Sequence, residues 1–149
     1  MIDKQLMQFF TDDHRGTDQC WTGLEDAVNG GDEAAIRTAF DTYKTRMLRH
    51  FSMEEEVLFP AFEAKTGMSE GGPTAVMRME HEQMRGLLEQ MSTAMEAGDA
   101  QEVIDLGDTQ LMLVQQHNQK EETILYTMAQ RMLDADWPEL SARLEPYLD

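Results

Sequence analysis

The chain repeats itself at an offset of 67 residues, and this internal repeat limits the folds that it can adopt. Segments 50–59 and 117–126 both read His, three variable residues, two Glu, a spacer, two aliphatic residues and an aromatic residue. The repeat pairs Asp13 with Glu80, His14 with His81, His50 with His117, Glu54 with Glu121 and Phe59 with Tyr126. A single helical hairpin cannot bury its own apolar face, so the repeat predicts two hairpins that pack together.

Four long stretches of helical periodicity, separated by strong breakers, fill most of the chain. Apolar side chains recur at steps of three and four in each stretch, and no segment alternates like a strand. Residues 29–31, 71–73 and Gly98 separate the stretches, and Asp32 and Asp99 are well placed to cap the helices that follow. We predict an all-α fold: an up-down-up-down four-helix bundle with a short C-terminal helix.

The inward stripes of the second and fourth helices are predicted to keep an ordinary helical period to their ends. This period places Ala61 on the core side of the second helix, and Ile124 and Met128 on the core side of the fourth. Pro60 predicts a kink or an end in the second helix, and Gly67 marks its limit.

The four histidines are predicted to meet at one level of the bundle. In the first hairpin, 17 residues lead from His14 to the turn at Gly31 and 19 lead from the turn to His50. The second hairpin, from His81 to His117, has the same arm lengths. At about 1.5 Å per residue, the histidines lie about 25 Å from the turns. Because all four lie on inward stripes, their imidazoles should converge in the core.

Two glutamates stand where the apolar stripes call for Leu or Ile. A buried, unpaired carboxylate costs several kcal/mol, and the nearby basic residues Arg49 and Lys120 lie off the stripes. Each glutamate follows a histidine by four residues, so both side chains of a pair can reach one centre from the same helix face. A bound cation would compensate the buried charge. The predicted metal ligands are His14, His50, Glu54, His81, His117 and Glu121.

The number and type of these donors favour two ions over one. Four imidazoles and two carboxylates would crowd a tetrahedral zinc ion, which takes four ligands. Two six-coordinate ions could share them, with two histidines each, both glutamates bridging, and an oxo or hydroxo bridge that leaves about one position open on each ion. Imidazole and carboxylate donors without thiolate suit iron or manganese. We predict two Fe ions in a bridged di-iron centre.

The remaining glutamates, the methionines and two tyrosines are interpreted without a role in metal binding. Glu55, Glu56 and Glu122 are predicted to be solvated acidic positions. The thirteen methionines are predicted to fill the core. Tyr43 and Tyr126 are interpreted as core residues, with a supporting or redox-active role at the site as the alternative.

Charge and cysteine content restrict the partners and the compartment. The formal charge of −17 argues against nucleic acid and anionic membrane as partners. A single cysteine, Cys20, allows no internal disulfide and suits a reducing cytosol. No apolar run resembles a signal peptide or a membrane span. We predict one cytoplasmic domain over residues 1–149.

The ordered set of four histidines and two glutamates resembles the hemerythrin-like, or HHE cation-binding, domains over nearly the whole chain. It is most similar to the branch found in di-iron proteins that repair iron–sulfur clusters. The resemblance implies that the six residues hold a bridged di-iron centre. The chain departs from the oxygen carriers, which have a fifth histidine where Arg85 stands and end their last motif with Asp in place of Glu121. It also shows no N-terminal cysteine-containing segment of the kind that repair proteins usually carry.

These observations predict a di-iron protein that binds O2, NO or peroxide in sensing or stress response. Two alternatives stay open: an iron donor or store for cluster repair, with an iron-acceptor protein as partner, and a di-iron oxidase or peroxidase supplied by a redox partner. A ferritin-like site would need Glu-x-x-His motifs, which the chain lacks.

Overall fold

Four helical rods and a short C-terminal helix make up the computed structural model, which describes residues 1–149. The helices are α1 (Leu6–Gly30), α2 (Glu33–Met53), α3 (Phe59–Thr66), α4 (Pro73–Glu96), α5 (Ala100–Lys120), α6 (Tyr126–Met132) and α7 (Trp137–Leu144). Two π-helical turns, Glu54–Leu58 and Glu121–Leu125, join α2 to α3 and α5 to α6, so that each pair forms one rod. Two 3-10 turns, Asp134–Asp136 and Glu145–Leu148, flank α7. The predicted all-α bundle with a short C-terminal helix is confirmed.

The hairpin turns have the end signals that the sequence predicted. The Asp32 carboxylate accepts a hydrogen bond from the Ala35 backbone N–H at 3.2 Å, and Asp99 accepts one from Glu102 at 3.1 Å. Both side chains thereby satisfy backbone donors that the first turn of a helix leaves free. The turn residue Gly31 has a φ of 77°, a left-handed conformation that favours glycine.

Each π-helical turn begins at one of the two buried glutamates. The backbone N–H of Phe59 donates to the carbonyl of Glu54, and that of Tyr126 donates to the carbonyl of Glu121. These bonds span five residues, so each turn holds one residue more than an α-helical turn. The extra residue rotates everything that follows it around the helix axis.

This rotation corrects the predicted core positions beyond the glutamates. Ile124 was predicted to face the core, but it is 53% exposed, and the next residue, Leu125, is buried. Similarly, Phe62 is fully buried, whereas Ala61 is only partly buried. Met128 is also only partly buried, and Ala129 takes the core position. The prediction was wrong at these sites because it assumed an unbroken α-helical period.

Pro60 does not end the second rod, which continues to Gly67 as the sequence predicted. The proline lies in the first turn of α3, directly after the π-helical turn. It has no N–H to offer the carbonyl of Glu56. That carbonyl instead accepts a hydrogen bond of 3.5 Å from the guanidinium of Arg143 on α7.

The apolar core consists of two clusters, with the layer of buried histidines between them. The cluster near α7 contains large side chains such as Phe10, Phe62 and Trp137. The cluster on the side of the hairpin turns contains Trp21 and Leu88, together with several buried methionines. None of the helices combines the length and the apolar composition needed to cross a membrane.

A glycine in α5 makes room for the indole of Trp21. A Cβ atom at Gly107 would lie 2.1 Å from Cη2 and 2.3 Å from Cζ3 of that ring.

We expect Gly107→Ala to lower the free energy of unfolding by about 1–3 kcal/mol, the usual effect of overpacking a core. Gly86→Ala is the matched control, because nothing lies near its Cβ position. It should stabilise the helix by about 0.5–1 kcal/mol. Urea unfolding of both variants measures the difference, and equal stability would contradict this account of the packing.

Candidate metal centre

The Nε2 atoms of four buried histidines converge between the two apolar clusters. Each imidazole comes from a different rod, and none of the residues is more than 4% exposed. The Nε2 atoms of His14 and His50 are 3.1 Å apart. The rings of His81 and His117 lie 5.0 Å apart between centroids. The prediction that the four histidines meet at one level is therefore confirmed by the geometry.

Glu54 and Glu121 lie between the two histidine pairs and are fully buried. Oε1 of Glu54 is 3.3 Å from Nε2 of His50 and 3.1 Å from Nε2 of His81. Glu54 therefore contacts one histidine from either half of the repeat.

The two carboxylate oxygens of Glu121 approach histidines from opposite halves of the repeat. Its Oε1 is 2.9 Å from Nε2 of His14, and its Oε2 is 3.2 Å from Nε2 of His117. A carboxylate in this position can bind one cation through each oxygen.

The six predicted ligands form two overlapping groups of four that share both glutamates. One group adds His14 and His50, and the other adds His81 and His117. Within each group, one ligand atom from every residue lies within 4.8 Å of the others. The structure thus brings all six side chains together, and their binding of metal stays a prediction.

A carboxylate lies behind each histidine, on the side that faces away from the centre. The Nδ1 atoms of His50 and His117 are 2.7 and 2.8 Å from the carboxylates of Asp13 and Glu80. Those of His14 and His81 are 2.8 and 2.6 Å from Glu122 and Glu55. Because a carboxylate only accepts, each Nδ1–H must donate. The neutral tautomer then has its free lone pair on Nε2, pointing at the centre.

These outer carboxylates correct the interpretation of Glu55 and Glu122 as solvated positions. Both are hydrogen-bonded to histidines of the centre, whereas Glu56 is exposed as predicted. The sequence contained one signal for them: the 67-residue offset pairs Glu55 with Glu122 and Asp13 with Glu80. Residues that keep an acidic side chain in both copies are candidates for a shared role.

Surface cations neutralise the outer carboxylates. Asp13 contacts the guanidinium groups of Arg49 at 2.9 Å and Arg46 at 3.3 Å. The three other outer carboxylates each pair with one cation: Glu55 with Arg85, Glu122 with Arg15 and Glu80 with Lys120. Every histidine therefore begins a chain of imidazole, carboxylate and cation that runs from the centre to the surface.

The charges in the centre raise the pKa values of three histidines, His14, His50 and His117. Burial disfavours the protonated form of His117, but the carboxylates of Glu121, Glu54 and Glu80 outweigh it and raise the pKa to about 9. The pKa values of His14 and His50 are raised for the same reasons. Positive charge is thus stabilised at the centre, where a cation or protons can supply it.

The outer carboxylates show the opposite shift. Burial alone would raise the pKa of Glu55, but hydrogen bonds from His81 and Arg85 lower it to about 2. Glu55 therefore remains ionised at neutral pH and keeps its hold on the Nδ1–H of His81.

Two buried atoms in the centre have no hydrogen-bond partner, and this geometry suits a cation. His117 Nε2 and Glu121 Oε2 lie 3.2 Å apart, yet they are not oriented to bond each other. Unsatisfied buried polar atoms are rare in folded proteins. Two donor atoms that point past each other can both be satisfied by one metal ion, so the residues fit a cation site.

A small cavity adjoins the histidines on the side of the hairpin turns. Its volume is about 20 Å³, and its walls include Met47, Met84 and Val114 together with the imidazoles of His14 and His117. A cavity needs roughly 10–15 Å³ to hold one water molecule. The space therefore suits a ligand of one to two heavy atoms.

The two tyrosines that the sequence left open have different surroundings. The hydroxyl of Tyr126 lies in the centre, 2.6 Å from Oε2 of Glu54. Tyr43 packs on Trp21 in the cluster near the hairpin turns, with ring centroids 5.5 Å apart. The interpretation of Tyr43 as a core residue is confirmed, and Tyr126 belongs to the polar centre.

We expect Asp13→Asn to weaken metal binding by about 10–100-fold, the usual cost of losing a hydrogen-bond partner behind a ligating histidine. The amide can present an NH2 group to His50, which removes the restraint on its tautomer. Asp12→Asn is the matched control, because Asp12 contacts only Lys4 and Gln8. A competition titration against a chelator measures both affinities. Equal affinities in the two variants would show that Asp13 does not support the site.

A comparison with protein families supports the metal-binding interpretation. The family model for the hemerythrin HHE cation binding domain matches residues 5–129. This range includes all six converging ligands and all four outer carboxylates. Searches among curated proteins and among solved structures gave no significant match.

Proposed function

Because this chain belongs to the hemerythrin HHE cation-binding domain family, we propose that its buried centre binds two iron ions and exposes them to a small ligand. The ligand would be dioxygen, nitric oxide or peroxide, and the role would be sensing or stress response. The observation that carries the proposal is the pair of overlapping four-residue groups that share Glu54 and Glu121. One ion would find too many donors there, whereas two ions would each find four.

The residues have separate tasks in this proposal. His14 and His50 would hold one ion, His81 and His117 the other, and the two glutamates would lie between them. The outer carboxylates keep each Nδ1 protonated, so that Nε2 is the atom available to the metal. When bound, the iron would supply the affinity for the diatomic ligand or peroxide and the change of oxidation state.

The residues around the centre favour ligands that are small and uncharged. The cavity beside the histidines has a volume of about 20 Å³, and its apolar walls are Met47, Phe51, Met84 and Val114. Large or charged molecules would meet unfavourable desolvation and steric overlap there. Thr17 and Asn118 are the polar side chains that line it besides the histidines. No carboxylate lines it as a general acid or base, which favours ligand binding over turnover of an organic substrate.

The burial of the six metal-binding side chains favours iron that stays bound over iron that exchanges readily. All six side chains are at most 4% exposed, so iron could leave only if the rods separated locally. An iron donor would need ready transfer to an acceptor protein. As part of the same proposal, the whole chain acts as one domain in the cytoplasm, where a free thiol such as Cys20 stays reduced.

Metal analysis combined with absorption spectroscopy tests the proposed function. Protein purified from iron-supplemented cells should contain two irons per chain and show iron charge-transfer absorption. Nitric oxide should change that absorption, because it is small and uncharged and fits the cavity. A content of one zinc per chain, with a featureless visible spectrum, would contradict the proposal.

A further inference from the structure

The two halves of the centre differ at one pair of residues that the repeat relates. The ring of Phe59 stacks on His81, with centroids 5.6 Å apart and planes at 21°. The ring of Tyr126 lies in the same way on His14, at 5.5 Å and 31°. The two aromatic rings thus occupy equivalent positions. The phenol oxygen of Tyr126 is present in one half only.

This oxygen faces more partners than one hydroxyl group can satisfy. It lies 2.6 Å from Oε2 of Glu54 and 2.9 Å from Oε1 of Glu121. It is also 3.1 Å from Nε2 of His14 and 3.4 Å from Nε2 of His50. A phenol has one proton to donate. With His14 and His50 neutral and protonated on Nδ1, their Nε2 atoms and the two carboxylate oxygens are all acceptors, so one O–H can bond only one of the four and leaves the other three approaches to be explained.

The distances match the spacing of neighbouring ligands around one cation. Metal bonds to nitrogen and oxygen of about 2.1 Å, at right angles, put adjacent donor atoms about 3.0 Å apart. The phenol oxygen lies 3.1 Å from His14 and 2.9 Å from Glu121. The Nε2 atoms of His14 and His50 are themselves 3.1 Å apart. Tyr126 therefore lies among these donors at the spacing of a further ligand.

We propose that Tyr126 is a seventh protein ligand, whose phenolate oxygen binds the ferric ion held by His14 and His50. The inference rests on the proposed function, because it requires iron in the centre. On binding, the phenol O–H bond breaks, an O–Fe bond forms, and the proton leaves to solvent, while the oxidation state of iron stays the same. Phe59 gives the ion held by His81 and His117 no such donor.

This ligand makes the two ions unequal and directs small molecules to one of them. Tyr126 fills a coordination position in the half of His14 and His50. The half of His81 and His117 keeps that position free. The cavity is lined by His14 and His50 as well as His117, so it borders both halves, and a ligand that enters it would bind the ion that keeps a free position.

Resonance Raman spectroscopy of the iron-loaded protein tests the assignment. The protein is oxidised with ferricyanide, desalted and excited in its visible absorption band. The expected result is enhancement of tyrosinate ring vibrations, which shift when the chain is made with ring-deuterated tyrosine. Tyr126→Phe should lose these vibrations and the band. Tyr43→Phe, the matched control, should keep both, because Tyr43 belongs to the apolar cluster near the hairpin turns.

A second variant moves the donor to the other half. Combining Phe59→Tyr with Tyr126→Phe should restore the tyrosinate vibrations, because the two rings occupy equivalent positions. The labelled wild-type protein decides the question even if the variants fail to fold. Two bound irons without tyrosinate vibrations would overturn this inference alone. A chain that binds no iron would overturn the proposed function and this inference together.

Discussion

Replacing Glu121 with glutamine is expected to lower the iron content of the purified protein to less than about a tenth of the wild-type value. The loss of an outer hydrogen-bond partner already costs about 10–100-fold in metal affinity, and a direct ligand should cost at least as much. Glu121 is the residue whose two oxygens approach histidines of opposite halves, at 2.9 Å and 3.2 Å. Its amide would remove a negative charge from between two cations and leave only one good oxygen donor.

The control for this substitution is Glu56→Gln. Glu56 lies in the other π-helical turn, is exposed and has no contact with the histidines. Its variant should retain the full iron content. Iron is measured by plasma emission spectroscopy on protein purified without added metal. Full iron content in Glu121→Gln would show that this carboxylate does not hold the metal.

Removal of the metal is expected to lower the melting temperature by roughly 10 °C. A ligand present at a thousand times its Kd stabilises the folded state by about 4 kcal/mol. For a chain of this size, each kcal/mol corresponds to about 2–4 °C. The six buried polar ligands strengthen the effect, because without a cation their desolvation is compensated only by protons. Calorimetry before and after treatment with a chelator gives the difference. Equal melting temperatures would identify a bundle that needs no metal.

The stability of the stripped protein should also fall as pH rises above neutrality. The pKa values of His14, His50 and His117 are raised by the carboxylates around them, that of His117 to about 9. A group with a raised pKa contributes its stabilisation below the unfolded pKa, about 6.5 for His. This contribution is lost as pH rises towards 9. Metal binding follows the opposite course, because the ligands must lose their protons. The difference in the free energy of unfolding between the metal-bound and the metal-free protein should therefore widen from pH 6.5 to 9.

The sequence predicted the arrangement of the rods because the signals involved are local or follow from helix length. Capping by Asp32 and Asp99 depends on one side chain and the next turn of backbone. The common level of the histidines follows from equal arm lengths at a fixed rise per residue. Both properties can be read from spacing alone.

Two kinds of feature could not be predicted from the sequence: the π-helical turns and the hydrogen bonds between the histidines and the outer carboxylates. The π-helical turns at Glu54 and Glu121 have no propensity signal, and they shift the core from Ile124 to Leu125. Periodicity also cannot separate a solvated glutamate from one that bonds a buried imidazole, as Glu55 does with His81. These contacts are set by how close the rods approach, which only the folded chain determines.

Anomalous diffraction from crystals of the iron-loaded protein tests the central claim most directly. Data collected on both sides of the iron absorption edge should show two peaks inside the bundle. One peak should lie against Nε2 of His14 and His50, the other against Nε2 of His81 and His117, with both glutamates contacting each. A single peak, or peaks only at the zinc edge or on the acidic surface, would contradict the assignment of a di-iron centre.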